Sequence, residues 1–238
     1  MNNLAQYFVP QWISIAFLIA IPIPFLLITQ FVRKEAANTP YAKAYFGVLA
    51  FFLFYLSYIY LAHSLGLFKQ IYFPPKVLLF TTFPFAVLLF GLVINTKVYK
   101  AIMETTKVES LVKLHVFRLI GVFFVLLALY DTLPKTFAFI AGIGDMVTAL
   151  GSIYVAKAIQ NKKSYSKTLC YGWNIFGTID ILFTAIAANV LTLKSIETGS
   201  MGVDTLATFP FCIIPAFAPP IILFLHLAIF RKLKKFSV

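Results

Sequence analysis

The chain has 238 residues, of which 61% are hydrophobic and only 12% charged, with a formal net charge of +12. That length would suit about two soluble domains, but so apolar a composition excludes the soluble class and marks a membrane protein. Nor is the basic excess a nucleic-acid footprint, because the Lys and Arg residues stand between hydrophobic runs and no interleaving of basic and aromatic residues suggests base stacking.

From the amino terminus, MNNLAQYFVPQW carries no Lys or Arg ahead of the first apolar run and no small-residue cleavage site, so the first run is expected to stay in the membrane rather than leave as a signal peptide. Seven apolar runs follow: Trp12 to Val32, Ala44 to Ala62, Val77 to Ile94, Leu111 to Tyr130, Thr136 to Ala156, Thr168 to Leu193 and Thr208 to Phe230. Each spans about 30 Å of hydrocarbon as a helix. The expected fold is all-α, a seven-helix transmembrane bundle forming one domain over 1–238.

The basic residues alternate with the runs. Arg33, Lys34 and Lys43 follow the first; Lys97, Lys100, Lys107 and Lys113 lie around the start of the fourth; Lys157, Lys162, Lys163 and Lys167 follow the fifth; Arg231, Lys232, Lys234 and Lys235 close the chain. On the other side stand only Lys69, Lys76, Lys135 and Lys194. By the positive-inside rule the amino terminus is outside and the carboxyl terminus cytoplasmic, in the cytoplasmic (inner) cell membrane. Between the third and fourth runs, NTKVYKAIMETTKVES mixes charges with Val98, Ile102, Met103 and Val108. It reads either as a short amphipathic helix on the cytoplasmic surface or as a solvated linker.

Prolines interrupt several runs: Pro22 and Pro24 the first, Pro84 the third, and Pro210, Pro215, Pro219 and Pro220 the last. Each interior proline removes one helical hydrogen bond, so the seventh run is the expected hinge or unwound segment, with Pro215, Pro219 and Pro220 as its pivots. Thr82 to Phe85 and Thr208 to Phe211 both read TFPF, which suggests a parallel three-helix repeat about a linker helix. Cys170 and Cys212 fall near the starts of antiparallel helices and are expected at opposite depths, out of disulfide range.

The stretch Thr136 to Lys157 places Asp145 midway along an apolar run, where a charge costs roughly 2.5–3.5 kcal/mol unless it faces protein or water. At helical spacing Ala141, Gly144, Asp145, Thr148, Gly151, Ser152 and Ala156 form a small and polar stripe suited to close packing. Depths counted at 1.5 Å per residue put Arg118, Asn174 and His226 roughly 7–11 Å from the cytoplasmic side, and Asp145 and Asp180 roughly 18–20 Å deep. Arg118 leans toward the cytoplasm, so pairing with Asp145 requires an extended side chain. The chemical reading is a proton or cation site at Asp145 and Asp180, with Thr148 nearby and Asn174 and His226 continuing the route inward. The structural reading has Asp145 bonded to Thr148 or to an amide of a broken helix, Asp180 to Thr178 or Thr184, Arg118 reaching the headgroups, and His226 satisfying a carbonyl freed by Pro219 or Pro220.

His115 and His63 are expected at the two interfaces. Bis-histidine haem ligation would require His115 and His226 to face each other, and no cluster has metal-site spacing within a helix. A retinal protein is set aside because the last run lacks the lysine its Schiff base needs.

AGIGD at Ala141 to Asp145, WN at Trp173 and Asn174, and FPFCIIPAFAPP leading to Leu225 and His226 resemble a group of bacterial multi-spanning membrane proteins without assigned activity. The resemblance covers the second half of the chain and implies membrane location without a substrate.

Three functions remain open from sequence: binding or transport of a small solute or cation, with no enzymatic step; a membrane-embedded redox or lipid-modifying enzyme with His115, Arg118, Asn174 and His226 around its pocket; and a sensor or assembly subunit. The ligand, any cofactor and the oligomeric state are left unspecified, and the lipid bilayer is the one partner composition implies. The charge asymmetry makes a topology prediction: a fluorescent reporter fused after Val238 will be bright in cells and alkaline phosphatase fused there inactive, and the opposite pattern would invert the orientation.

Overall fold

A computed structural model describes residues 7–234. The first six residues of the amino-terminal stretch discussed above, and Lys235 of the last basic group, lie outside the described residues. Seven helices are long and apolar enough to cross a membrane, and no strand occurs among the described residues. They are α1 (Gln11–Ala36), α2 (Ala44–Ser64), α3 (Leu78–Asn95), α5 (Val108–Leu129), α6 (Lys135–Gln160), α7 (Ser166–Thr198) and α8 (Ile213–Leu233). Between α3 and α5 lies the shorter α4 (Lys97–Thr105).

The core sits on α5 and α8, which bury 61% and 67% of their spans, against 17% for α2 and for α3. Aromatic rings fill much of it: Phe217 of α8 packs on Phe25 of α1, Phe52 of α2 and Phe85 of α3. The two ends of the bundle gather separately. At one end the Thr105 hydroxyl donates to the Glu35 carbonyl at 3.2 Å, and Lys232 reaches the Glu104 carbonyl at 3.4 Å. At the other end, the Thr205 hydroxyl donates to the Thr132 carbonyl at 2.6 Å.

Local sequence explains where the helices deviate. Pro22 divides α1 into Gln11–Ala20 and Pro22–Ala36. Around Pro84, α3 widens into π-helical turns at Leu78–Thr82 and Leu88–Leu92, the local adjustment expected where a proline deletes a hydrogen bond. Residues 97–105 do form a helix: Thr96 caps it by accepting from the Tyr99 N–H at 3.1 Å, and Ile102 is buried beneath it. The sixth span runs longer than its apolar run, to Thr198, where Gly199 ends it in the left-handed conformation at φ 68° and donates to the Ser195 carbonyl.

The last span is continuous over Ile213–Leu233, so the unwound segment expected there is not found. Its prolines are accommodated by hydroxyl groups of neighbouring helices. Pro219 cannot bond the carbonyl of Pro215, and Thr82 of α3 donates to it at 2.7 Å; Pro220 leaves the carbonyl of Ala216, and the Tyr55 hydroxyl of α2 lies 2.9 Å away. Pro84 leaves the Phe80 carbonyl, which takes the Tyr58 hydroxyl at 2.9 Å. His226 has no such role. In hydrocarbon a freed carbonyl has no water to turn to, so these hydroxyls substitute for the missing amides.

The two TFPF copies occupy unlike settings: Thr82 to Phe85 lies inside α3, whereas Thr208 to Phe211 precedes α8 as a bend and turns, so the motif by itself does not mark equivalent positions. Cys170 and Cys212 are free and buried, as expected.

Removing either buried hydroxyl strands a carbonyl. Tyr55→Phe and Thr82→Val are each expected to cost about 1–3 kcal/mol, read as lowered Tm in detergent; Tyr58→Phe, at the more exposed contact, is expected to cost less.

Candidate functional site

Arg118 is the largest side chain lying fully within the fold, with 1% of its surface exposed. Its position on α5 falls in a 3₁₀ stretch, His115–Gly121, which rises about 2.0 Å per residue instead of 1.5 and carries the arginine further along the span than an α-helical count allows. The guanidinium then serves as a hub. Its Nε donates to Asp145 Oδ1 at 2.7 Å, one terminal nitrogen donates to Asp180 Oδ2, and the other contacts the Gly177 carbonyl and His226 Nε2, both at 3.2 Å.

A second ring of contacts fixes the histidine. Because a guanidinium can only donate, His226 Nε2 accepts and its Nδ1 bears the hydrogen, which it gives to Asn174 Oδ1 at 2.8 Å. Asn174 returns a bond from Nδ2 to the His226 carbonyl at 3.1 Å. Trp173 Nε1 donates to the Thr148 carbonyl at 2.9 Å and its ring meets those of His115 and His226.

Glycines create the space for these charges. A Cβ on Gly121 would collide with Asp145, one on Gly144 with the Asp180 carboxylate, and one on Gly177 would stand 2.8 Å from His226 Nε2. α5, α6 and α7 can therefore approach until their ionic groups meet, the close packing that the small stripe of α6 implies. Within that stripe Ala141, Asp145, Thr148, Ser152 and Ala156 are all buried, while Ile140, Leu150 and Tyr154 on the remaining surface are exposed.

All six polar residues picked out by sequence meet here. Asp145, Asp180, Arg118, Asn174 and His226 form one connected network; Thr148 borders it, with its carbonyl engaged and its hydroxyl unpartnered. Depth counting gives two layers and the structure gives one cluster, chiefly because the long arginine side chain reaches across; its 3₁₀ backbone adds only about 1.5 Å over the three steps from His115. The local alternatives do not occur: Thr178 bonds its own helix at Asn174, the Thr148 hydroxyl has no partner, and Arg118 is turned into the bundle with 1% of its surface exposed. Pro215, Pro219 and Pro220 lie apart from the ions, in the hydroxyl-tied half of α8.

His115 was placed at an interface and is instead fully buried, with neither ring nitrogen bonded to protein. It stands three residues before Arg118 and so on the same helical face, a spacing that carries the signal for its burial. Haem does not fit these histidines. Their rings pack on each other with centroids 4.3 Å apart, leaving no room for a porphyrin between them, and both nitrogens of His226 are engaged. No group of three or more metal-ligating side chains occurs among the described residues.

With both aspartates ionised, arginine and a neutral histidine would leave the centre with one excess negative charge in a medium of low dielectric. Such a set can hold one further positive charge, a proton or a small cation, at the carboxylates, which keep 11% and 8% of their side-chain surface exposed while the guanidinium keeps none.

Seven apolar spans around a buried ionic centre define a multi-pass membrane protein. The chain belongs to the family described as "Domain of unknown function (DUF8737)", whose model matches residues 74–234 and so takes in every residue of the centre. No curated protein and no solved structure matches it.

Two substitutions test the geometry. Arg118→Ala strands two carboxylates and is expected to cost about 3–5 kcal/mol in detergent stability. Gly144→Ala, which drives a methyl into Asp180, is expected to lower Tm clearly, whereas Gly172→Ala on the same helix pair, with open space around it, leaves Tm unchanged or raised.

Proposed function

We propose that this protein binds or transports a small solute or cation across its membrane, coupled to a proton or cation exchanged at Asp145 and Asp180. The observation that carries the reading is the pairing of two carboxylates with a single guanidinium inside the bundle. A purely static lock needs one acid for one base; the second acid supplies a place for a mobile positive charge. Arg118 would keep the unloaded centre tolerable in hydrocarbon, and loading would weaken its hold on one aspartate.

His226, bonded to Arg118 and Asn174, lies on the side toward which the chain's lysine-rich end is proposed to face the cytoplasm. His115 and the Thr148 hydroxyl offer unused hydrogen-bonding capacity beside it, which supports a polar route continuing that way. α8 would be the moving part. Its backbone at Pro215 and Ala216 is held by side-chain hydroxyls that can exchange partners, and Pro219 and Pro220 allow it to bend there.

The competing role for the same residues is to fasten α5, α6 and α7 without any turnover, and a single variant separates the two. Asp145→Asn preserves shape and removes the exchangeable charge. In proteoliposomes carrying a pH-sensitive dye, wild-type protein is expected to move protons or a monovalent cation down an imposed gradient, and Asp145→Asn to insert normally yet lose at least about tenfold of that flux, the equivalent of about 1.4 kcal/mol. Equal flux in both proteins would remove Asp145 from the mechanism, and no flux in either would leave the fastening role.

A further inference from the structure

Away from the ion centre, α1, α2, α3, α5 and α8 enclose a cavity of about 490 Å³, and α4 lies across it as a roof. Its walls are hydrocarbon and aromatic, including Phe31, Phe51, Phe85, Leu111, Ile221 and Phe224. The side-chain polar groups that line it, Thr96 and Tyr99, both belong to the start of the roof, so the space has one dry end and one wet end. This size lies within the roughly 300–1,000 Å³ of small-molecule sites, but it lacks the several convergent polar groups that orient a compact polar ligand. An alkyl chain is the chemistry it matches.

The wet end is basic. Arg33 directly follows the lining residue Val32, Lys43 directly precedes Ala44, and Lys97 and Lys100 flank Val98 and Tyr99; all four basic residues are exposed. Arg231 at the end of α8 interacts with the Tyr99 side chain. Glu35 and Glu104 are the acids at the same rim, and both offer backbone carbonyls to cross-contacts that hold the roof, from Thr105 and Lys232. The balance of charge around the opening stays positive. α4 itself is built for the position: Val98, Tyr99, Ile102 and Met103 look into the cavity, while Lys97, Lys100 and Glu104 are exposed.

We propose that this cavity is a binding site for one anionic phospholipid of the surrounding bilayer, an acyl chain occupying the cavity and the phosphate lying on the basic rim beside α4. Charge complementarity selects the head and the apolar walls select the tail. Each Lys or Arg near an anionic headgroup contributes on the order of a fivefold change in affinity, the equivalent of about 1 kcal/mol. This site is independent of the ion centre: Leu114 and Leu225 line the cavity, while their chain neighbours His115 and His226 belong to the other cluster.

Native mass spectrometry of the detergent-solubilised full chain tests it, with phosphatidylglycerol and phosphatidylcholine of identical acyl chains as probes. The wild-type protein is expected to retain one phosphatidylglycerol in preference to phosphatidylcholine. Lys97→Gln with Lys100→Gln is expected to reduce that preference by about 25-fold while leaving Tm unchanged, since both side chains are exposed. Gly47→Trp fills the cavity from α2, where an added Cβ meets nothing within 4 Å, and is expected to abolish retention of both lipids; Ala44→Trp serves should that variant not fold. Equal retention of the two lipids by wild-type protein, or undiminished phosphatidylglycerol binding in a folded cavity-filled variant, would overturn the proposal. Retention of free fatty acid in place of phospholipid would overturn it as well.

Discussion

A guanidinium without access to water has to find every partner within the protein. Arg118 finds them on α6, α7 and α8, and much of the bundle's geometry follows from that demand. Its charge is compensated twice, by Asp145 and Asp180, and two more of its N–H groups reach a backbone carbonyl and an imidazole. Transferring such ions from water is expensive, so the arrangement persists only because the contacts are short, numerous and held by rigid neighbours. Asn174 and Trp173 supply that rigidity by locking His226 and the backbone of α6.

α8 shows the opposite economy of polar groups. Its prolines release carbonyls into a region without water, and the relief comes from α2 and α3, not from the ions. One half of this helix is thus tied to Tyr55 and Thr82, and the other presents His226 to the charged cluster. The same helix also forms a wall of the apolar cavity through Ile221, Phe224 and Leu225. Three distinct environments converge on its 21 residues, which explains why so apolar a segment carries so uneven a sequence.

The number and class of the helices were legible in the sequence because hydrocarbon thickness imposes a length, and charge alternation imposes a rhythm, on any spanning chain. The polar residues of the site were legible for a related reason: a charged group inside an apolar run has few places to go. What the sequence concealed was convergence. A count at α-helical rise separated Arg118 from the aspartates because it follows the backbone and leaves out the reach of an extended arginine side chain; the 3₁₀ turn in HVFRLIG shifts that count only slightly. His115 reads as an interface residue when its depth alone is counted; the mark of its burial was its spacing of three from Arg118. The TFPF motif carries less than its repetition suggests, because the same four residues sit within a helix in one copy and ahead of one in the other.

Gly121, Gly144 and Gly177 give up volume that Asp145, Asp180 and His226 then occupy, one glycine for each ionisable or imidazole group, and each pair joins two different helices. Void and filler are therefore sterically coupled. A lineage that lost an aspartate would free its matching glycine to drift toward alanine, and a lineage that gained a methyl there would have to surrender the acid, so paired substitution across helices would record whether a descendant still uses its ions.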